Sequence, residues 1–335
     1  MQELNEGTDE NKAAMEAKPG ILAREYPGGV VAIDSGMIRR EMAACFLLEC
    51  GEELAIIETG NRASAERILT VAKKRGWKET QISQVIVTHV HLDHAGGAGL
   101  LIQQCPNARL VVHPRGVRHM IDPSRLEASA RKVYGDQAFD AMYGTLVPVP
   151  EERTLIMEDE DTLDVGDRRL EFMDSPGHAR HHFCVWDEQT RGWFTGDTFG
   201  VSYRDLDTAD GPFIFPTTTP IQFDPEALIT SIERLMKKSP DYMYLTHFGR
   251  VGDVRRLADQ MIDSVRCFRD IGEKNRDSAN RTEAIRHDML TWLKRSTRAH
   301  GVGLPEAGLE ELLTGDVSLN TQGIEFWLDQ KKPGG

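Results

Sequence analysis

Thr88-His89-Val90-His91-Leu92-Asp93-His94-Ala95-Gly96-Gly97 places four potential metal ligands within six residues. The stretch directly follows Val85-Ile86-Val87, a short apolar run that reads as a buried strand. Imidazole and carboxylate are donors that divalent zinc, iron and manganese take. On a loop leaving a strand, the alternate residues His89 and His91 can point the same way. Asp93 and His94 then turn onto a neighbouring position as a helix starts. One loop can thus serve two adjacent ions. The bland alternative is a solvated polar loop. Only 11 of the 335 residues are histidine, so three in six fits chance poorly.

Three later fragments supply what this loop lacks. Ser175-Pro176-Gly177-His178 follows an apolar run at 170–173, Gly196-Asp197-Thr198 follows Trp193-Phe194, and Leu245-Thr246-His247 follows Tyr242-Met243-Tyr244. Each reads as an apolar strand with one ligand type at its exit. Singly, such a histidine fits a hydrogen-bonded structural residue. Four such exits in one chain reinforce one another.

Around these motifs, runs at 30–33, 44–48, 54–57, 110–112 and 183–186 also read as strands. Ser64 reads as the cap of a helix carrying Ile68, Leu69 and Val71 that stops near Gly76, and Gly96-Gly97 opens a second, short helix. Strands and helices alternate twice, which implies packed sheets with helices outside. Beyond Gly249 the pattern turns helical: Leu257, Met261, Val265 and Phe268, then Ile285, Met289, Trp292 and Leu293, then Ile324, Trp327 and Leu328. The chain therefore divides into a flexible tail (1–20), a catalytic domain (21–250) and a C-terminal helical extension (251–335).

Bulk properties bound the function. Lys plus Arg is 40 and Asp plus Glu is 53, so the net charge is 40 − 53 = −13. That balance disfavours nucleic acid or an anionic membrane as partner and leaves a small-molecule substrate. The five cysteines (Cys45, Cys50, Cys105, Cys184, Cys267) form no CxxC pair and read as reduced thiols. The first 18 residues carry no apolar signal-like core, so a soluble, cytoplasmic protein is the expectation.

The motif set resembles the metallo-β-lactamase-fold hydrolase superfamily, whose mark is a THxHxDHxGG loop with later PGH, GD and H ligands. The resemblance spans roughly 30–249. It implies an αββα sandwich, an α/β layered fold, with metals at one edge between two sheets. By resemblance, His89, His91 and His178 match one metal site, and Asp93, His94 and His247 the other. Asp197 matches the bridging carboxylate. His182 matches a further histidine four residues after the PGH ligand, expected to brace the site from outside. Glu58, in Ile57-Glu58-Thr59-Gly60, stands where the family usually has Asp and is expected to brace the metal loop. The cofactor implied is a pair of divalent ions, zinc first, with iron or manganese as alternatives.

A hydroxide bridging two ions about 3.5–4 Å apart is nucleophilic near neutral pH. Asp93 would orient or deprotonate it, and no GxSxG nucleophile elbow is present. Gly196-Asp197-Thr198-Phe199 resembles the glyoxalase II branch, which cleaves acyl-glutathione thioesters. An ester, lactone or thioester is therefore the expected substrate. Tyr203, Arg204, Phe213 and Phe248 are expected at the pocket, because they follow Asp197 and His247. Two other readings stand beside this one. The first is a mononuclear iron dioxygenase resembling the persulfide dioxygenases, its iron held by His89, His178 and Asp197. The second is a regulatory protein acting through the C-terminal helices, which could also form a homodimer.

Overall fold

The computed structural model describes residues 14–16, 21–218 and 222–331. The expected tail, 1–20, lies outside the described residues except for β1 (Ala14–Glu16), an edge strand. The first sheet runs in chain order, β1 to β8: β2 (Leu22–Tyr26), β3 (Val30–Asp34), β4 (Ala44–Cys50), β5 (Glu53–Ile57), β6 (Ile82–Ile86), β7 (Arg109–Val112) and β8 (Thr154–Ile156). Its first five strands pair antiparallel, and β5 to β8 pair parallel.

The second sheet holds β9 (Thr162–Val165), β10 (Arg168–Asp174), β11 (Phe183–Asp187), β12 (Gly192–Val201), β13 (Tyr242–His247) and β14 (Gly249–Val251), in the order β14-β13-β12-β11-β10-β9. Two strands in it, β12 and β13, run parallel.

Both sheets are covered on both faces, so their strands read as continuous apolar runs rather than alternating ones. Along β4, Phe46 and Leu48 face the second sheet, where they meet Phe172, Phe183, Phe194 and Tyr244. Cys45 and Leu47 face the other way, onto α1 (Arg62–Lys74) through Ile68 and Val71. Along β13, Tyr244 enters the inter-sheet core, while Met243 and Leu245 face the outer helices. The layers are helix, sheet, sheet, helix, as the sequence pattern implied.

The remaining helices are α2 (Leu92–Ala95), α3 (Ala98–Gln104), α4 (Val117–Ile121), α5 (Ser124–Tyr134), α6 (Asp136–Met142), α7 (Pro225–Met236), α8 (Val254–Asn275), α9 (Arg281–Ala299) and α10 (Glu306–Gln330). The stripes read beyond Gly249 are buried: Leu257, Met261, Phe268, Leu293 and Ile324 share one core with Trp193 and Leu245 of the second sheet. The C-terminal helices are thus the outer helical layer of that sheet, joined there by α7. Among the described residues no helix is long and apolar enough to cross a membrane.

One expected cap is corrected. Asn61, not Ser64, caps α1: its Oδ1 accepts from the Ser64 amide at 3.0 Å. Ser64 Oγ in turn accepts from the Asn61 amide at 3.3 Å, a reciprocal box in which serine plays the third position.

Candidate metal centre

The polar side chains that crowd together at one edge of the sandwich come from the carboxyl ends of β5, β6, β10 and β13 and from inside β12. After β6 the chain bends at Thr88 and His89, is extended again at His91, and enters α2, which carries Asp93 and His94. His178 lies in the turn beyond β10, and His247 is the last residue of β13. Asp197 departs from the expectation of a strand exit. It sits within β12, where the pairing to β13 slips on either side of Gly196. The slip aims Asp197 into the cluster while the strand continues to Val201. Gly196 has φ +49, and a Cβ there would meet Thr88 Oγ1 at 2.4 Å and His182 Nε2 at 2.5 Å. Only glycine fits that approach.

Two ligand sets result, one of His89, His91, His178 and Asp197 and the other of Asp93, His94 and His247, with donor atoms in each set within 4.8 Å of one another. In the first, His91 Nδ1 is 2.7 Å from His89 Nε2 and 3.2 Å from His178 Nε2. Asp197 faces both sets with different oxygens. Oδ2 lies 3.1 Å from His178 Nε2, and Oδ1 lies 3.4 Å from His94 Nε2 and 3.5 Å from His247 Nε2. Asp93 Oδ2 closes the second set at 3.5 Å from both His94 Nε2 and His247 Nε2.

Three of the five histidines in these sets, His89, His178 and His247, have a hydrogen-bond partner at the opposite ring nitrogen, which fixes tautomer and orientation, and His94 has an ion-pair neighbour there. His89 Nδ1 meets Thr88 Oγ1 at 3.1 Å, and His178 Nδ1 meets the Thr217 carbonyl at 3.0 Å. His247 Nδ1 meets the Met42 carbonyl at 2.8 Å, and His94 Nδ1 lies 3.2 Å from Glu58 Oε1. Glu58 is fully buried with φ +64. It also accepts from Thr88 Oγ1 and, at 3.3 Å, from Thr246 Oγ1. His182 accepts from the Asp197 amide with Nε2 at 3.1 Å, and its Nδ1 meets Ser175 Oγ at 2.8 Å. It therefore braces the bridging residue through the backbone.

The electrostatics differ between the sets. Burial, then the imidazoles around it, holds His89 well below the usual histidine range. His91 follows for the same reasons, and burial lowers His178 too. The downward shift favours the neutral rings, whose lone pairs suit a cation. Burial also acts against charge on His94 and His247, yet the Asp197 and Asp93 carboxylates overcome it and raise both.

Both ring nitrogens of His94 and Oδ1 of Asp197 are buried without a hydrogen-bond partner. Orphaned donors and acceptors of this kind are costly unless a cation or water satisfies them. Facing imidazole lone pairs, orphaned atoms and a shared carboxylate fit metal ions.

The four residues expected at the pocket fall elsewhere. The cavity beside the ligands is lined by α5, Tyr143, Thr217, Thr218 and Leu319 rather than by Tyr203, Arg204, Phe213 or Phe248. Tyr203 is buried and donates to Asp316 Oδ1 at 3.1 Å. Arg204 turns back to the Ser202 carbonyl at 2.5 Å, Phe213 packs in the outer core, and Phe248 packs in the inter-sheet core. Sequence adjacency to a ligand misleads because all four lie beyond the strands that carry the ligands, β12 ending at Val201 and β13 at His247, where tertiary packing sets their direction. Thr88, Thr217, Asn320 and the α5 wall were not read from the sequence. The stripe Leu126, Ala130, Val133 was a signal for the last of these.

The chain belongs to the metallo-beta-lactamase superfamily, whose family profile matches residues 38–247. A metallo-beta-lactamase fold-containing protein, ST1585 of Sulfurisphaera tokodaii, is 25% identical over 227 residues, 67% of this chain and 79% of that protein. The crystal structure of ST1585 superposes with a TM-score of 0.63 at 22% identity, covering 89% of this chain and 98% of that one. The hydroxyacylglutathione hydrolase of Maricaulis maris is 32% identical over 146 residues, 44% of this chain and 43% of that protein. Human acyl-coenzyme A thioesterase MBLAC2 is 30% identical over 125 residues, 33% of this chain and 39% of that protein. The matched part is thus less than half of either of the last two.

Proposed function

We propose that this protein is a dinuclear metal-dependent hydrolase of carboxylic esters, lactones or thioesters. The observation that carries the reading is the division of Asp197, with one oxygen toward each histidine set. A mononuclear site would need only the first set; the gathered Asp93, His94 and His247 support a second ion. His89, His91 and His178 would hold one ion, Asp93, His94 and His247 the other, and Asp197 both. When bound, such ions lower the pKa of water toward neutrality and polarise an electrophilic oxygen, with zinc the first candidate.

The chain's own groups supply the rest. Asp93 lines the cavity, and despite burial the His94 and His247 rings keep its carboxyl ionised. In this reading its carboxylate accepts the proton of an attacking water. Water adds to the acyl carbon, the acyl–oxygen or acyl–sulfur bond breaks, and the proton passes to the departing alcohol or thiol. The names of the hydroxyacylglutathione hydrolase and acyl-coenzyme A thioesterase relatives support the thioester among these choices.

The test joins metal analysis of the purified protein with a substrate panel of ester, lactone, thioester and phosphodiester, and with oxygen uptake. Two ions per chain and turnover of an acyl substrate are expected. One iron per chain with oxygen consumption would replace this reading with the dioxygenase.

A further inference from the structure

A cavity of about 400 Å³ opens from the ligand cluster. His91, Asp93, His178 and Asp197 form its floor. Leu126, Ala130 and Val133 of α5 form one wall, and Leu319 of α10 with Thr217 and Thr218 lies among the other lining residues. Positions 126, 130 and 133 fall on one helical face, which ordinarily packs on a core. Yet α5 contains no fully buried residue. Leu126 and Ala130 lean part-buried on the small core of Leu92, Phe139 and Tyr143, and the same face, with Val133, lines the cavity.

The rim points the same way. Val133 is 50% and Tyr134 42% exposed, and among the described residues both belong to the few large hydrophobic ones left in solvent. Exposed apolar groups clustered at a cavity mouth mark a binding surface. Tyr143 lies deeper, and burial, then Asp93, raises its phenol above the ordinary value, so it remains an uncharged donor. The walls beyond the floor thus offer aliphatic carbon and neutral hydroxyls, with Lys132 the charged exception among the lining residues.

We propose that this cavity holds the acyl chain of the substrate, and that the chain is an extended apolar one lying between α5 and Leu319. The proposal rests on the hydrolase reading and narrows it: the acyl carbon sits over the Asp93 end, and the chain displaces water from the α5 face. Transfer of the chain from water supplies the specificity. Each buried methylene then raises kcat/KM about threefold to fourfold.

The test uses the metal-loaded full chain and thioesters of one small thiol, from acetyl to decanoyl. kcat/KM is expected to climb with chain length until the cavity is full. Val133→Asp, at a half-exposed position that folding tolerates, is expected to lower the decanoyl-to-acetyl ratio by about tenfold or more. Calorimetry with 1-hexanol and 1-decanol provides a second readout independent of turnover. Tighter decanol binding with a negative heat-capacity change, lost in Val133→Asp, is expected. Hydrolysis indifferent to chain length, with no alcohol binding, would overturn the acyl site and leave the hydrolase standing. Chain-length-dependent alcohol binding without hydrolysis of any thioester or ester would keep the apolar-chain site and overturn the hydrolase.

Discussion

Asn320 on the last helix holds Thr218 by two hydrogen bonds: its Oδ1 accepts from the Thr218 amide at 2.6 Å, and its backbone carbonyl accepts from Thr218 Oγ1 at 3.1 Å. Its Nδ2 donates to the Pro216 carbonyl at 3.0 Å. Between those two clamped residues stands Thr217, whose carbonyl meets His178 Nδ1. A helix far along the chain therefore sets the orientation of a proposed metal ligand.

Asn320→Ala removes the Thr218 acceptor and the Pro216 donor together. Each backbone group left buried and unpaired costs about 1–3 kcal/mol. The expected result is a lower melting temperature and metal affinity reduced about 10–100-fold at the site that includes His178. Metal titration of wild type and variant measures this. Unchanged affinity would show that Thr217 is held without Asn320.

Gly196→Ala tests the slip in β12. The new methyl meets Thr88 and His182, and φ +49 disfavours any L side chain. Destabilisation of about 1–3 kcal/mol is expected from the backbone alone. A displaced Asp197 is expected to lower turnover about 100-fold, since misplacement by an ångström suffices. Thermal unfolding and kcat separate the two effects. A variant with wild-type stability and turnover would refute the steric account of this glycine.

The centre was largely legible in the sequence because strand, loop and ligand are contiguous there. Val85-Ile86-Val87 and the histidines after it form one local unit, and the structure brings His178, Asp197 and His247 to the same edge. The wall of the cavity was less legible. The Leu126, Ala130, Val133 stripe is short and lies between Gly- and Pro-containing turns, and what it faces depends on α10, almost 190 residues later. α7 also went unread, although Asp224 caps it through the Glu226 and Ala227 amides, both at 3.1 Å. Tyr203 failed as a pocket residue for a tertiary reason: α10 covers it with Asp316. Local pattern carries the ligands, whereas the substrate wall is assembled by packing between distant helices.

His89→Ala and Asp93→Ala test the two sets separately. Loss of turnover on the order of 10²–10⁴-fold is expected for Asp93→Ala, the scale of a general base. His89→Ala is expected to lose an ion as well. Circular dichroism should show the sandwich retained in both, because the inter-sheet core of Phe46, Phe194 and Tyr244 does not include them. Full activity in either variant would disprove the assigned role.

Glu58 asks whether the brace behind His94 works by charge or by shape. Glu58→Gln keeps an oxygen for the Thr88 and Thr246 hydroxyls but removes the negative charge 3.2 Å from His94 Nδ1. Glu58→Leu removes the oxygen too and strands both hydroxyls in a buried site. If charge is the device, both variants lose metal affinity by about tenfold or more, because a carboxylate partner makes the imidazole a better donor. If shape is the device, only the leucine variant suffers, and its stability falls with its affinity. Zinc titration alongside thermal unfolding distinguishes the outcomes. The expectation is the first, since the longer glutamate reaches Thr88, Thr246 and His94 at once, and its charge is the one feature that no neighbouring hydroxyl can replace.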